Sequence, residues 1–154
     1  PADDSVECDP TFGMYRFCAN IQGSRLVSVP RDNRFNVDVE RVLQAAKHGA
    51  KVVFISSPNN PTGNTTSHED IQCLLDEGMM VVVDETYHEF CGFTVAHLVP
   101  KYENLIVLRT LSKWAGLAGL RLGYGIMSPD LARYLMTIKL PYNENIIYSI
   151  IYQS

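Results

Sequence analysis

No run in this 154-residue chain approaches the roughly 18 consecutive apolar residues that a membrane-spanning helix requires, so no membrane span is expected. A basic cluster is also lacking. The 13 basic and 17 acidic residues are mixed along the chain to a net charge of −4, which offers nucleic-acid phosphates no patch to pair with, and a nucleic-acid partner is not expected. The four cysteines (Cys8, Cys18, Cys73 and Cys91) form no Cys-x-x-Cys pair, and the chain is not of the small, loop-rich kind that disulfides staple; they read as reduced thiols. Neither they nor His48, His68, His88 and His97 fall at metal-ligand spacing, and no metal is expected. The opening residues PADDSVECDP are acidic where a signal peptide is basic, and they read as a loop. Repeats, low-complexity tracts and proline- or serine-rich linkers are missing too, so no domain boundary divides the chain.

What is present is an apolar content of 46%, enough for one ordinary core, arranged in short β-rich runs that alternate with helical patterns. Strands are predicted at Leu26 to Val29, Lys51 to Ser56, Met79 to Asp84, Leu105 to Arg109 and Leu122 to Ile126. KVVFIS, MMVVVD and NLIVLR are almost continuously apolar, as strands covered on both faces of a parallel sheet should be. Asn36 is positioned to cap a helix carrying Val39, Val42, Leu43 and Ala46; Ser67 and Asp70 open another that stops near Gly78. Ser128 and Pro129 open a third, with Leu131, Leu135 and Ile138 on its stripe and Pro141 at its end. All three stripes are expected to face the core. The chain closes on NENIIYSIIYQS, which reads as an apolar helix cut midway, as in a fragment of a longer protein.

In open α/β sheets, ligands gather at the carboxyl ends of the strands, and here those ends turn polar abruptly: SPNNPTG after KVVFIS, DETYHEF after MMVVV, and RTLSKWAGLAGLRLGYG after NLIVL. Asp84 ends an apolar strand, where an unpaired carboxylate is costly, so it should face a cation or strong donor; a helix cap or a buried ion pair would also satisfy it. Lys113, alone, would be a surface lysine. An amine nucleophile must be neutral, however, and requires a desolvated or cation-rich pocket. Arg121 lies eight residues on and the hydroxyls of Thr110 and Ser112 stand beside it, a phosphate-binding set around an amine.

SPNNPTG, DETYHEF and TLSKWAGLAGLRLGYG, in this order and spacing, resemble the aminotransferase superfamily of pyridoxal-phosphate fold type I. DPTFGMY, LRTLSKWAGLAGLRLGYG and PYN are most similar to its histidinol-phosphate aminotransferase branch, and the likeness extends over nearly the whole chain. The resemblance implies an α/β fold: the mostly parallel, helix-covered sheet (three layers, α/β/α) of the large cofactor-binding domain. It also implies pyridoxal 5'-phosphate as cofactor. Lys113 would hold it as a Schiff base and move the proton between substrate and cofactor. Asp84 would pair with the ring nitrogen; Asn60 and Tyr87 would hydrogen-bond the ring oxygen. Arg121, Ser112 and Thr110 would hold the phosphate. Phe12 is either a core aromatic or the residue that stacks on the ring. Two positions depart from the pattern: Thr86 stands where the family usually has alanine, and Trp114 where many members have a smaller residue.

Taken with the resemblance, residues 1–154 are expected to be the central part of the cofactor-binding domain, without the family's upstream glycine-rich segment or the downstream small domain whose arginine binds the substrate carboxylate. The reaction implied is transamination of histidinol phosphate with 2-oxoglutarate, in histidine biosynthesis, by a homodimer in the cytoplasm, or in a plastid for a plant or algal source. A decarboxylase or lyase of the same fold, or a non-catalytic sensor module binding the same cofactor, would use the same lysine, aspartate and arginine.

Overall fold

A computed structural model describes residues 4–139. Six strands form one sheet in the order β2-β1-β3-β4-β5-β6, where β1 is Asp4–Asp9, β2 Leu26–Pro30, β3 Ala50–Ser56, β4 Met80–Asp84, β5 Leu105–Thr110 and β6 Gly123–Ile126. Neighbouring strands from β2 to β5 pair parallel; β6 alone runs antiparallel, with Val107 opposite Ile126. The five predicted strands each lie within a residue or so of an observed one. Among the described residues there are five α-helices: α1 Met14–Gln22, α2 Val39–Lys47, α3 His68–Asp76, the short α4 His88–Cys91 and α5 Pro129–Ile138. No helix among the described residues is long and apolar enough to cross a membrane.

Strand parity divides the molecule into two sides. Val6 and Cys8 of β1, Val53 and Ile55 of β3, Val81 and Val83 of β4, and Leu105 and Val107 of β5 point one way and form the core with Val42 of α2 and Ile71, Leu74 and Leu75 of α3. Each such fully buried aliphatic side chain contributes about 1.5 to 3 kcal/mol. The alternate residues face α1, where the cover is thinner: Val52, Phe54 and Leu108 line an open apolar groove with Met14, Cys18 and Ala19. The expected cover on both faces is therefore complete on one side only among the described residues.

Three expectations need correction, and one helix was not foreseen. Of the opening residues, Asp4–Asp9 are not a loop but β1, hydrogen-bonded between β2 and β3. Its acids are paired: buried Glu7 accepts from Arg16, and Asp4 lies 3.1 Å from Arg25 Nε. Asn36 is not the cap of α2; it belongs to a turn closed by Asp32, and Asp38 caps the helix by accepting from the Arg41 N–H. Helix α1 was not foreseen, because Gly13 at its start offers no capping side chain and its first turn carries no acid. The stripe of α5 does not face the core: Leu135 is 40% and Ile138 76% exposed. Ser128 does cap that helix and Ser67 caps α3. Pro141, PYN and the terminal NENIIYSIIYQS lie outside the described residues.

Candidate active site

The carboxyl ends of β3, β4 and β5 lie side by side, since Ser56 is in register with Asp84 and Asp84 with Leu108. Around them opens a cleft of about 300 Å³. Phe12, Asn60, Asp84, Tyr87, Thr110, Ser112, Lys113 and Arg121, every site residue singled out from the sequence, line it together with Ser56 and Thr86.

Asp84 sits at the floor. The Thr86 N–H and hydroxyl both donate to Oδ1, at 3.0 and 2.6 Å, and the Tyr15 hydroxyl donates to Oδ2 at 2.8 Å. A carboxylate drawn into a partly buried place is thereby supplied with donors on both oxygens. Thr86, the departure from alanine, spends its hydroxyl on Asp84. Tyr15 is itself fixed by stacking on Phe54, 5.3 Å between centroids, with Phe12 edge-on at 5.8 Å. Burial, then the neighbouring Asp84 charge, push the Tyr15 phenol far above its usual range, so it remains a donor.

One wall carries the amine and the cation. Thr110 Oγ1 lies 3.0 Å from Ser112 Oγ and accepts the Ser112 N–H at 3.2 Å, which pins the turn after β5. Lys113 follows, its Nζ 5.8 Å from the centre of the Tyr87 ring, within cation–π reach. Arg121 adopts a left-handed backbone, φ 53°, and its guanidinium donates to the Ala118 carbonyl at 3.1 Å. Such a conformation costs a non-glycine residue on the order of 1 kcal/mol or more and recurs at binding sites. Lys113 and Arg121 are exposed, so the desolvation expected around the amine is not supplied by the described residues. Trp114 beside them is half exposed.

The opposite wall is tied by Asn59, a buried residue the sequence reading passed over in favour of Asn60. Asn59 Oδ1 accepts from Thr11 and from Arg31, and its amide donates to Pro10 O and Thr62 Oγ1. Arg31 also donates to the Cys8 and Phe35 carbonyls. The three loops that follow β1, β2 and β3 are locked together, and Phe12 and Asn60 are carried on them. Tyr15, Ser56 and Arg31 were likewise missed. Tyr15 stands three residues beyond Phe12, joined to it by a turn in which the Tyr15 N–H donates to the Phe12 carbonyl at 3.3 Å.

The model of the family described as aminotransferase class I and II matches residues 1–149. Among curated relatives, histidinol-phosphate aminotransferase of Roseiflexus castenholzii is 50% identical over 147 residues, 95% of this chain and 40% of that protein. The enzyme of the same name from Dehalococcoides mccartyi is 48% identical over 146 residues, 95% and 41%, and the chloroplastic one of Nicotiana tabacum 45% over 148 residues, 95% and 36%. The chain thus spans about two fifths of these relatives' length. Of solved structures, the histidinol-phosphate aminotransferase of Sinorhizobium meliloti in complex with pyridoxal-5'-phosphate superposes with a TM-score of 0.81 at 28% identity, covering 93% of this chain and 41% of that one. That from Clostridium acetobutylicum superposes with 0.85 at 23% identity, covering 94% and 45%, a likeness of fold. The chain belongs to the aminotransferase class I and II family.

Proposed function

We propose that the protein containing this chain is a pyridoxal-phosphate-dependent aminotransferase, with histidinol phosphate as amino donor and 2-oxoglutarate as the 2-oxo acid acceptor. The observation that carries the reading is the convergence of Lys113, Asp84, Tyr87, Asn60, Arg121, Ser112 and Thr110 on one cleft at the carboxyl edge of a parallel sheet. The donor set fits the cofactor group for group. An aldehyde requires an amine, a basic ring nitrogen requires an acid partner, a phenolic oxygen requires donors, and a phosphate requires a fixed cation with hydroxyls.

When bound, pyridoxal phosphate supplies a cationic ring that accepts the electron pair released at the substrate α-carbon. Lys113 Nζ would supply the amine that holds the cofactor's aldehyde carbon and would serve as the general base and acid that moves the substrate's α-carbon proton. Its Nζ lies 5.8 Å from the centre of the Tyr87 ring, which would help to orient it. Asp84 would orient the ring by accepting a hydrogen bond from its nitrogen. Asn60 and Tyr87 would donate to the ring oxygen. Arg121 would anchor the phosphate through its guanidinium fork, and Ser112 and Thr110 would add hydroxyls. Phe12, 41% exposed on the cleft, would pack against the ring.

The donor rests on the relatives named histidinol-phosphate aminotransferase, at 45 to 50% identity. Among the cleft's lining residues Arg121 is the sole basic residue besides Lys113, so the phosphate of the donor must meet cationic groups elsewhere, from further segments or a second subunit of a homodimer. Comparing kcat/KM for histidinol phosphate with phenylalanine, tyrosine, aspartate and threonine phosphate tests this; a tenfold win by another donor, about 1.4 kcal/mol in the transition state, replaces the substrate and leaves the cofactor chemistry. Borohydride reduction followed by peptide mapping tests Lys113, and a label on another lysine overturns it.

A further inference from the structure

We propose that Tyr15 and Thr86 are a paired set of positioning residues that hold the Asp84 carboxylate ionised, so that a proton shared with a bound heteroaromatic nitrogen stays on the nitrogen; this rests on the cofactor reading above.

Asp84 receives three hydrogen bonds from the chain, divided two and one: Thr86 N–H and Oγ1 on Oδ1, Tyr15 Oη on Oδ2. A carboxylate has about four acceptor sites, so Oδ1 is filled while Oδ2 retains a lone pair for one further donor. A carboxylate opposite a protonated ring nitrogen has two ways to satisfy the pair. The proton can sit on nitrogen, giving two charges, or cross to oxygen, giving none. A cleft that excludes water favours the second arrangement, because both charges then escape desolvation. Donors aimed at the carboxylate favour the first, because a charge-assisted hydrogen bond weakens when the oxygen loses its charge. Three donors on one carboxylate bias the pair toward the cation, the form in which the ring accepts electrons.

Both side-chain donors are fixed in place. Tyr15 is clasped between Phe54, stacked, and Phe12, edge-on, so its hydroxyl reaches Oδ2 without a rotamer search. Thr86 is branched at Cβ, which restricts χ1, and its hydroxyl and N–H meet the same oxygen. Neither residue is required by the core cluster on the other side of the sheet, where the packing is carried by Val81, Val83, Leu105 and Val107.

The test uses the holoenzyme reconstituted with pyridoxal phosphate labelled at its ring nitrogen, and follows that nitrogen by NMR in the parent, Thr86→Ala, Thr86→Ser, Tyr15→Phe and the Thr86→Ala, Tyr15→Phe double variant. The parent resonance is expected in the pyridinium range. Thr86→Ala and Tyr15→Phe should each move it toward the unprotonated value, and the double variant further. Thr86→Ser keeps the hydroxyl and should restore the parent position. In the two single variants kcat should fall about tenfold, with KM within about twofold. Tyr15→Phe retains the aromatic stack on Phe54, so loss of fold does not mimic the effect. A bound cofactor whose nitrogen resonance stays at the parent position in all variants overturns the clamp and leaves the cofactor assignment standing. A parent protein that takes up no cofactor at Lys113 overturns the assignment, and the clamp falls with it.

Discussion

Asp84 and Glu85 are neighbours in sequence and carry the same functional group, yet the pleat turns them to opposite sides of the sheet and gives them opposite work. Asp84 faces α1 and the cleft, partly open, its three donors leaving one acceptor site free. Glu85 faces the α2 and α3 side and is 1% exposed. There it accepts from Arg109 Nε and Nη2, from Thr94 Oγ1 and from the Val95 N–H at 2.7 Å, so its acceptors are consumed by the fold itself. One side of the strand ends is finished inside the chain; the other is built to receive something. Residue type does not distinguish the two carboxylates, and saturation of their hydrogen bonds does.

Breaking that contrast should have its largest effect on the closed side. Arg109→Met leaves the Glu85 charge buried with two neutral donors, and removal of one partner of a buried pair costs about 3 to 5 kcal/mol. Chemical denaturation should show this loss, while the double variant Glu85→Gln, Arg109→Met recovers part of it. Asp84→Asn should shift the same midpoint by less than about 1 kcal/mol; a loss equal to that of Arg109→Met would erase the distinction. Cys8 sharpens the comparison through pH. Burial, the main cause, pushes its thiol up from 9.0 to about 11. Above pH 9 the unfolded chain sheds this proton and the folded one keeps it, so stability present below pH 9 falls as pH rises toward 11. The two-unit difference corresponds to about 2 to 3 kcal/mol. Cys8→Ala should flatten this alkaline slope in pH-dependent unfolding.

The contrast also explains what the sequence disclosed. Continuous apolar runs marked β3, β4 and β5, and abrupt polarity after them marked the cleft, because a strand end that turns polar must meet solvent, a ligand or a partner. Asp84, Lys113 and Arg121 were legible in this way. Strand β1 was not: DSVECD carries three acids in six residues, and the arginines that neutralise Glu7 and Asp4 come from α1 and the residue before β2. Asn59, Arg31 and the Glu85–Arg109 pair were hidden for the same reason, since each is tied to at least one partner 24 or more residues distant. Helix α5 misled in the other direction. Its periodic stripe is real, but periodicity identifies an apolar face and not what covers it. Tyr15 lay in plain sight one turn beyond Phe12, without any polar signal to mark a tyrosine as the partner of a carboxylate 69 residues away.

On the open side, Asp84→Asn should leave the fold intact and slow turnover. A charged hydrogen bond to the ring nitrogen is worth about 1.5 to 3 kcal/mol, which in kcat is roughly ten- to over a hundredfold. Steady-state kinetics of the reconstituted enzyme would show it, and turnover at the parent rate would remove Asp84 from the chemistry.

The smallest effect is expected at Phe12, where the contribution is contact without charge. Its ring is 41% exposed on the cleft and held only edge-on by Tyr15, so one face is free to lie against a flat ligand. An aromatic pair is worth about 0.5 to 1.5 kcal/mol beyond the area it covers. Phe12→Ala should therefore weaken cofactor binding roughly three- to tenfold, read by equilibrium titration of the apoprotein, while Phe12→Leu, which keeps apolar area but not the ring, falls between. Phe12→Tyr preserves the stacking face and should bind as the parent does. The unfolding midpoint of the cofactor-free protein separates the two roles open to this residue: a core aromatic truncated to alanine costs about 3 to 5 kcal/mol, whereas a ring already two fifths exposed should cost far less. If Phe12→Ala destabilises the empty protein by the larger amount and leaves cofactor affinity unchanged, Phe12 belongs with the closed side, and the boundary between packing and binding runs through the cleft wall.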